Sequence, residues 1–294
     1  MENYKKNTKT KPQTTTWINQ KEPLGFIFLL KESWKTYKKN FVVLTLVYFI
    51  PAVFISFSSN VASFFTAISP LNILSIFIFV PLYFFIVFLG YISIIVILRD
   101  REKGQISFSE TYQKALPYFF SYLWLLIISS LIILPLSLLI IPGIIFSIFF
   151  LLAPFILISE KIKGLSALWK SKELIKNYWW NIFWYNFIIS LCLATIYLVS
   201  FLIFSLPLTA LTTSLGLPFS IGAFDQIQSF VLTLFFTPFL CTFFYLLYEK
   251  IKTIKKERVF LLPSKKIKTI FTILEIVGFL IIILLFSFIV LRLS

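Results

Sequence analysis

Leu138–Gly164 reads LLIIPGIIFSIFFLLAPFILISEKIKG and takes in the end of a run with no charged residue from Tyr118 to Ser159. One helix over that run would be about 60 Å long at a 1.5 Å rise, twice the ~30 Å hydrocarbon core of a bilayer. The flanks decide how the run divides. Arg99–Lys114 before it carries four Lys or Arg, and Lys161–Lys176 after it carries five. Basic connections stay on the cytoplasmic side, so the run crosses twice or not at all. Pro142 suits the first turn of a new helix, and Gly143 permits a close turn before it. Pro142-Gly143 is therefore the expected outer tip of a helical hairpin, with a re-entrant loop as the alternative.

The rest of the chain follows the same pattern. Of 294 residues, 59% are hydrophobic and 13% charged, with a mean hydropathy of +0.93; soluble domains average about 25% charged. Seven apolar segments, roughly 41–58, 72–98, 118–138, 141–159, 182–205, 227–248 and 270–291, are candidate crossings. They lack barrel-type alternation, so helices are the form that satisfies their backbone in lipid. The first 40 residues hold nine Lys, and Lys250–Lys268 holds eight Lys or Arg. The connections at 59–71, 139–141 and 206–226 hold none, and Arg292 stands alone near the end.

The expected fold is thus an all-α polytopic membrane bundle of about seven transmembrane helices, three hairpins plus one C-terminal helix. Residues 1–22 read as a disordered basic cytoplasmic tail, 23–252 as a six-helix membrane domain, and 253–294 as a basic linker with an extra helix. The N-terminus is expected in the cytoplasm and the C-terminus outside. A net charge of +15 would suggest nucleic acid in a soluble protein. Here the loops account for it, and the expected partners are membrane lipids, anionic on the cytoplasmic face, with a membrane-protein partner or a second copy beside them.

Three segments read as amphipathic. Phe26, Leu30, Trp34, Tyr37 and Phe41 recur at helical spacing, with Lys31, Glu32, Lys35, Lys38 and Lys39 opposite. Residues 106–116 place Ser107 and Glu110 at capping-box spacing. In 164–181, Leu165, Leu168, Trp169, Ile175 and Trp179 share a side on which Lys172 intrudes, and a lysine there can snorkel. Trp34, Lys35, Lys38, Trp169 and Lys172 are the candidate lipid-interface residues, suited to an anionic leaflet.

A further set of residues carries a resemblance. Pro142-Gly143, Pro154, Glu160, Gly164, Ser171 and Trp179-Trp180 are followed by TPFLCTFFYLLYEKIK, with Pro238, Tyr248, Glu249 and Lys250. Over roughly 24–252 the chain resembles the membrane domain found beside glycerophosphodiester phosphodiesterase in some bacteria, and uncharacterised inner-membrane proteins built of such a domain alone. The resemblance implies a six-helix membrane domain in a bacterial cytoplasmic membrane. Glu249 and Lys250 stand where the pattern has Asp and Arg nearby, the helix after Ile267 is extra, and the soluble phosphodiesterase part is absent. That activity is not carried over.

Chemistry is sparsely encoded. There is no His, and Cys192 and Cys241 lie in apolar segments as small buried hydrophobes, so neither cofactor, metal nor disulfide is expected. Pro154 and Pro238 each deprive a carbonyl, that of Phe150 or Leu234, of its helical donor. The expected role is non-enzymatic, in membrane-lipid organisation or as an envelope scaffold. The alternative is a transporter or lipid flippase using the two prolines. A carboxylate pocket at Glu160 and Glu249 is the only foothold for an enzyme.

Overall fold

A computed structural model describes residues 25–56, 70–102, 107–215, 221–255 and 265–293. The expected tail at 1–22 and most of the linker at 253–264 lie outside these residues. The described residues form helices and turns, with no strand among them. In chain order they are α1 (Phe26–Lys39), α2 (Phe41–Ser56), α3 (Pro70–Asp100), α4 (Phe108–Ala115), α5 (Phe119–Ser137), α6 (Ile141–Phe150), α7 (Ala153–Glu160), α8 (Gly164–Ile175), α9 (Trp179–Ser200), α10 (Leu206–Ser214), α11 (Ile221–Ile254) and α12 (Lys265–Leu293). A 3₁₀ turn joins α4 to α5, and a π-helical turn at Phe201–Ser205 joins α9 to α10.

Five helical stretches are long and apolar enough to cross a membrane: Ile78–Asp100, Phe108–Ser137, Ile141–Glu160, Trp179–Ser214 and Gln226–Ile254. The pair α1 and α2, meeting at 84°, would make a sixth. The chain is an all-α, multi-pass membrane protein. At the centre, Ile92 and Ile94–Leu98 of α3 are buried, as expected of a helix that is apolar all round. They sit among α2, α5, α7 and α11.

The hairpin is present, with α5 packed along α6, but its tip is built differently from expectation. Pro142 does occupy the first turn of α6. The turn itself falls on Ile140, at φ 52° and ψ −67°, with the Ile141 N–H donating to the Leu139 carbonyl at 2.6 Å. That is a γ-turn of the rare, strained hand. Gly143 is helical; a Cβ there would lie 2.7 Å from Ser137 Cα, so its role is to let the two arms approach.

Two proline-freed carbonyls are covered by a distant group. Pro51 in α2 leaves the Val47 carbonyl without its helical donor, and the Tyr112 hydroxyl donates to it at 2.6 Å. Gly90 of α3 lies so close to the Pro51 ring that a methyl group would overlap it. Pro135 likewise frees the Leu131 carbonyl, and Gly278 of α12 rests directly on that oxygen. Small residues that let backbones approach are the usual means of helix association in lipid.

Pro154 does not kink a continuous helix, which corrects the expectation. The chain breaks at Leu151-Leu152 and Pro154 opens α7. The Ser171 hydroxyl closes the gap, donating to the Phe149 carbonyl at 2.6 Å and accepting from the Leu152 N–H at 3.2 Å. Near the opposite end, Gln228 donates to the Tyr197 carbonyl at 3.0 Å and accepts from Ser205 at 2.9 Å, tying α11 to the π turn.

The first amphipathic helix is docked on the bundle by its apolar side. α1 buries Leu29, Ser33 and Tyr37, and the Tyr37 hydroxyl donates to the Phe235 carbonyl at 3.0 Å. Phe26 packs on Tyr185 and Phe243. α8 is held among α5, α6 and α7. Of the two cysteines, Cys241 is buried but Cys192 is exposed, because α9 turns most of its surface away from the bundle.

A charged cleft as candidate functional site

The charged residues gather where α3, α7 and α11 end and α8 begins. Arg99 and Asp100 close α3. The Nε and Nη2 donors of one guanidinium edge meet the Asp100 carboxylate, each at 3.0 Å, and the remaining Nη1 donates to the Tyr118 hydroxyl at 3.1 Å and the Ile158 carbonyl at 3.2 Å. One arginine thereby caps the last turn of α7 while compensating a carboxylate whose side chain is 3% exposed. Such a fork is what arginine offers over lysine.

Beside it, Glu160 at the end of α7 receives three donors. Lys170 of α8 makes a short ion pair, Lys252 of α11 lies at 3.0 Å, and the Tyr248 hydroxyl donates at 2.7 Å. Arg101 reaches Glu249 at 2.6 Å and stacks 5.5 Å from the Tyr245 ring. Burial opposes the Arg101 charge, but the Glu249 carboxylate outweighs it and raises its pKa above the ordinary value.

Between α1, the end of α3 and the last turns of α11 opens a cleft of about 400 Å³. One wall is a polar stripe of α1: Glu32, Lys35, Thr36, Lys39 and Asn40. Arg101 and Glu102 form the second wall; Tyr248, Glu249, Lys250 and Lys252 lie on the third, and Phe28, Leu29 and Leu246 supply apolar surface. Lys250 is buried with its ammonium 4.2 Å from the centre of the Phe28 ring.

The residues singled out from sequence are distributed as follows. Glu160 and Tyr248 meet, Glu249 lines the cleft, and Ser171 bridges the α6–α7 break that precedes Pro154. The Trp179 indole donates to the Ile145 carbonyl at 3.3 Å. Gly164, at φ 55°, lies against Trp124. Pro238 is buried within α11, and Pro142-Gly143 sits at the far end, apart from the cleft.

Trp34 is half exposed, with the Lys38 ammonium 5.2 Å from its ring, and Lys35 turns toward the cleft. Trp169 and Lys172 are packed inward instead. Lys172 sits 4.7 Å from the Trp169 ring, 5.8 Å from Phe146 and 5.9 Å from Phe271. This burial pushes its pKa down, and α12 supplies the third ring that covers it.

Sequence reasoning passed over Arg99, Asp100, Arg101, Lys170, Tyr245 and Lys252. One signal was available. Only four of the 27 basic residues are Arg, and two of those stand side by side with Asp100, where a fork rather than a point charge is needed. Among the described residues no three His, Cys, Asp or Glu side chains group as metal ligands. Compared with known proteins, the chain matches no family model, no curated protein and no solved structure.

Proposed function

We propose that this chain is a non-enzymatic, lipid-organising protein of a bacterial cytoplasmic membrane, with its charged end in the cytoplasm and its C-terminus outside. The observation that carries the reading is α1. It meets α2 at 84° and leaves Trp34, Lys35 and Lys38 exposed at the charged end. A helix set across the bundle axis, with an indole and ammonium groups at its rim, suits the headgroup layer of an anionic leaflet. The carboxylates that an enzyme would need, Glu160 and Glu249, are both engaged in ion pairs.

Packing at the two prolines favours this reading over a transporter or flippase, since the break at Pro154 is closed by Ser171 and Pro238 is buried. The likeness to the membrane domain beside glycerophosphodiester phosphodiesterase belongs to the same proposal. Its support is that Glu160 and Tyr248 come together in space, and that Ser171 bridges the break just before Pro154. An envelope-scaffold role would use α9 and α10, whose apolar surface is largely exposed.

The test is to extract the full chain with its surrounding lipid in polymer-bounded discs. Anionic lipid enriched over the bulk membrane, and enriched less for Trp34→Ala with Lys38→Gln, is the expected result. A lipid composition equal to the bulk would overturn it.

A further inference from the structure

We propose that the cleft between α1, the end of α3 and the end of α11 is a discrete binding site for one phosphate-bearing anion, the headgroup of a lipid; it rests on the lipid-organising reading for the source of the ligand. General attraction to an anionic leaflet needs only exposed cations, and α1 supplies those on its rim. The cleft is a different arrangement. Glu32, Lys35, Thr36, Lys39 and Asn40 are linked by three- and four-residue steps (32 to 35 and 36, 35 to 39, 36 to 39 and 40), so they form a single stripe, and that stripe lines the cavity together with Arg101 and Lys252.

Charge and donor chemistry select the ligand. Lys35, Lys39, Arg101 and Lys250 outnumber Glu32, Glu102 and Glu249 around about 400 Å³, while Lys252 at its edge and Lys170 pair with the nearby Glu160. The surplus is positive in a space at the small end of ligand pockets, roughly 300–1,000 Å³. It fits a compact anion and leaves no room for a folded partner. Lysine ammonium groups serve a phosphate as point charges, while the Arg101 fork, now on Glu249 at 2.6 Å, has the geometry for two parallel bonds to phosphate oxygens.

Thr36, Ser159 and the second hydrogen of the Asn40 amide add neutral donors. The apolar side of the same cleft gives the ligand its second half. Phe28 and Leu246 line it, and Ile27, two-thirds exposed, adjoins Phe28 on α1. A phosphate held between Lys39 and Arg101 would have acyl or glycerol carbons beside those side chains.

The experiment uses the full chain in nanodiscs of zwitterionic lipid, titrated with dihexanoyl phosphatidic acid and, separately, with inorganic phosphate. Saturable binding of one phosphatidic acid per chain is expected. It should weaken at least tenfold in Lys39→Gln, recover in Lys39→Arg, and change less than twofold in Lys31→Gln, which lies on α1 outside the cleft. Phosphatidic acid binding at least tenfold tighter than inorganic phosphate identifies a lipid as the source. Equal affinities keep the phosphate site and overturn the lipid source.

Absence of saturation by either probe, or equal losses in Lys31→Gln and Lys39→Gln, overturns the site. Anionic lipid enriched around a wild-type chain that shows no saturable binding would sink the cleft alone. Saturable binding without enrichment would sink the lipid-organising reading alone.

Discussion

Replacing Glu160 with Gln should separate a structural clasp from a decorative surface pair. The Glu160 side chain is 13% exposed and takes Lys170, Lys252 and the Tyr248 hydroxyl, joining the end of α7 to α8 and α11. The amide keeps the shape and removes the charge, leaving two ammonium groups facing each other. Breaking a fully buried pair costs about 3–5 kcal/mol. Lys252, at 48% exposure, will recover much of its share through water, as exposed pairs contribute only about 0–1 kcal/mol. A loss of about 2–3 kcal/mol is therefore expected.

Glu249→Gln breaks the more open pair with Arg101, the one ion pair Glu249 makes among the described residues, and should cost about 1 kcal/mol. Unfolding of the purified chain by SDS titration in mixed micelles reads both. A cycle with Tyr248→Phe should show coupling for Glu160 and little for Glu249. If Glu160→Gln unfolds at the same SDS fraction as the wild type, or Glu249→Gln costs more, the reasoning about this cluster is wrong.

The same titration tests the packing. Tyr112→Phe strips the donor from the Val47 carbonyl and should cost about 1–3 kcal/mol; adding Pro51→Ala restores a backbone donor, so the double variant should recover part of the loss, and strict additivity would contradict the repair. Gly278→Val should drive α12 off the Leu131 carbonyl, exposing Trp169 and Lys172 to protease or labelling reagent, and unchanged protection would refute the contact. Ile140→Gly relieves a positive-φ turn and should stabilise by about 1 kcal/mol; a destabilised variant would deny the turn its geometry.

The hairpin was legible because charge and length act locally. A basic connection on each side of an overlong apolar run leaves few topologies, and Pro142 marks where the second arm starts. The strain at the Ile140 tip is not legible, since the glycine that draws the eye, Gly143, lies three residues beyond it. Pro51 and Pro135 announce freed carbonyls to any reader, whereas the groups that meet them, Tyr112 and Gly278, are set by which helices pack together.

The cleft was half legible. Lys35 and Lys39 stood out as the charged side of α1, yet that side was assigned to the membrane surface. That it also lines a cleft depends on the docking of Phe26 and Tyr37 against α11, which no spacing within α1 encodes. Lys172 shows the same limit. A lysine on an apolar face reads as a snorkelling side chain until α12 brings Phe271 over it.

Everything proposed for the charged end depends on its facing the cytoplasm, and labelling from one side of the membrane decides that directly. In a background with Cys192→Ser and Cys241→Ala, single substitutions Leu139→Cys at the hairpin tip and Lys176→Cys after α8 would be exposed to a membrane-impermeant maleimide in intact spheroplasts. Leu139→Cys should react at once and Lys176→Cys only after permeabilisation. The reverse order would place the basic end outside and contradict the central claim.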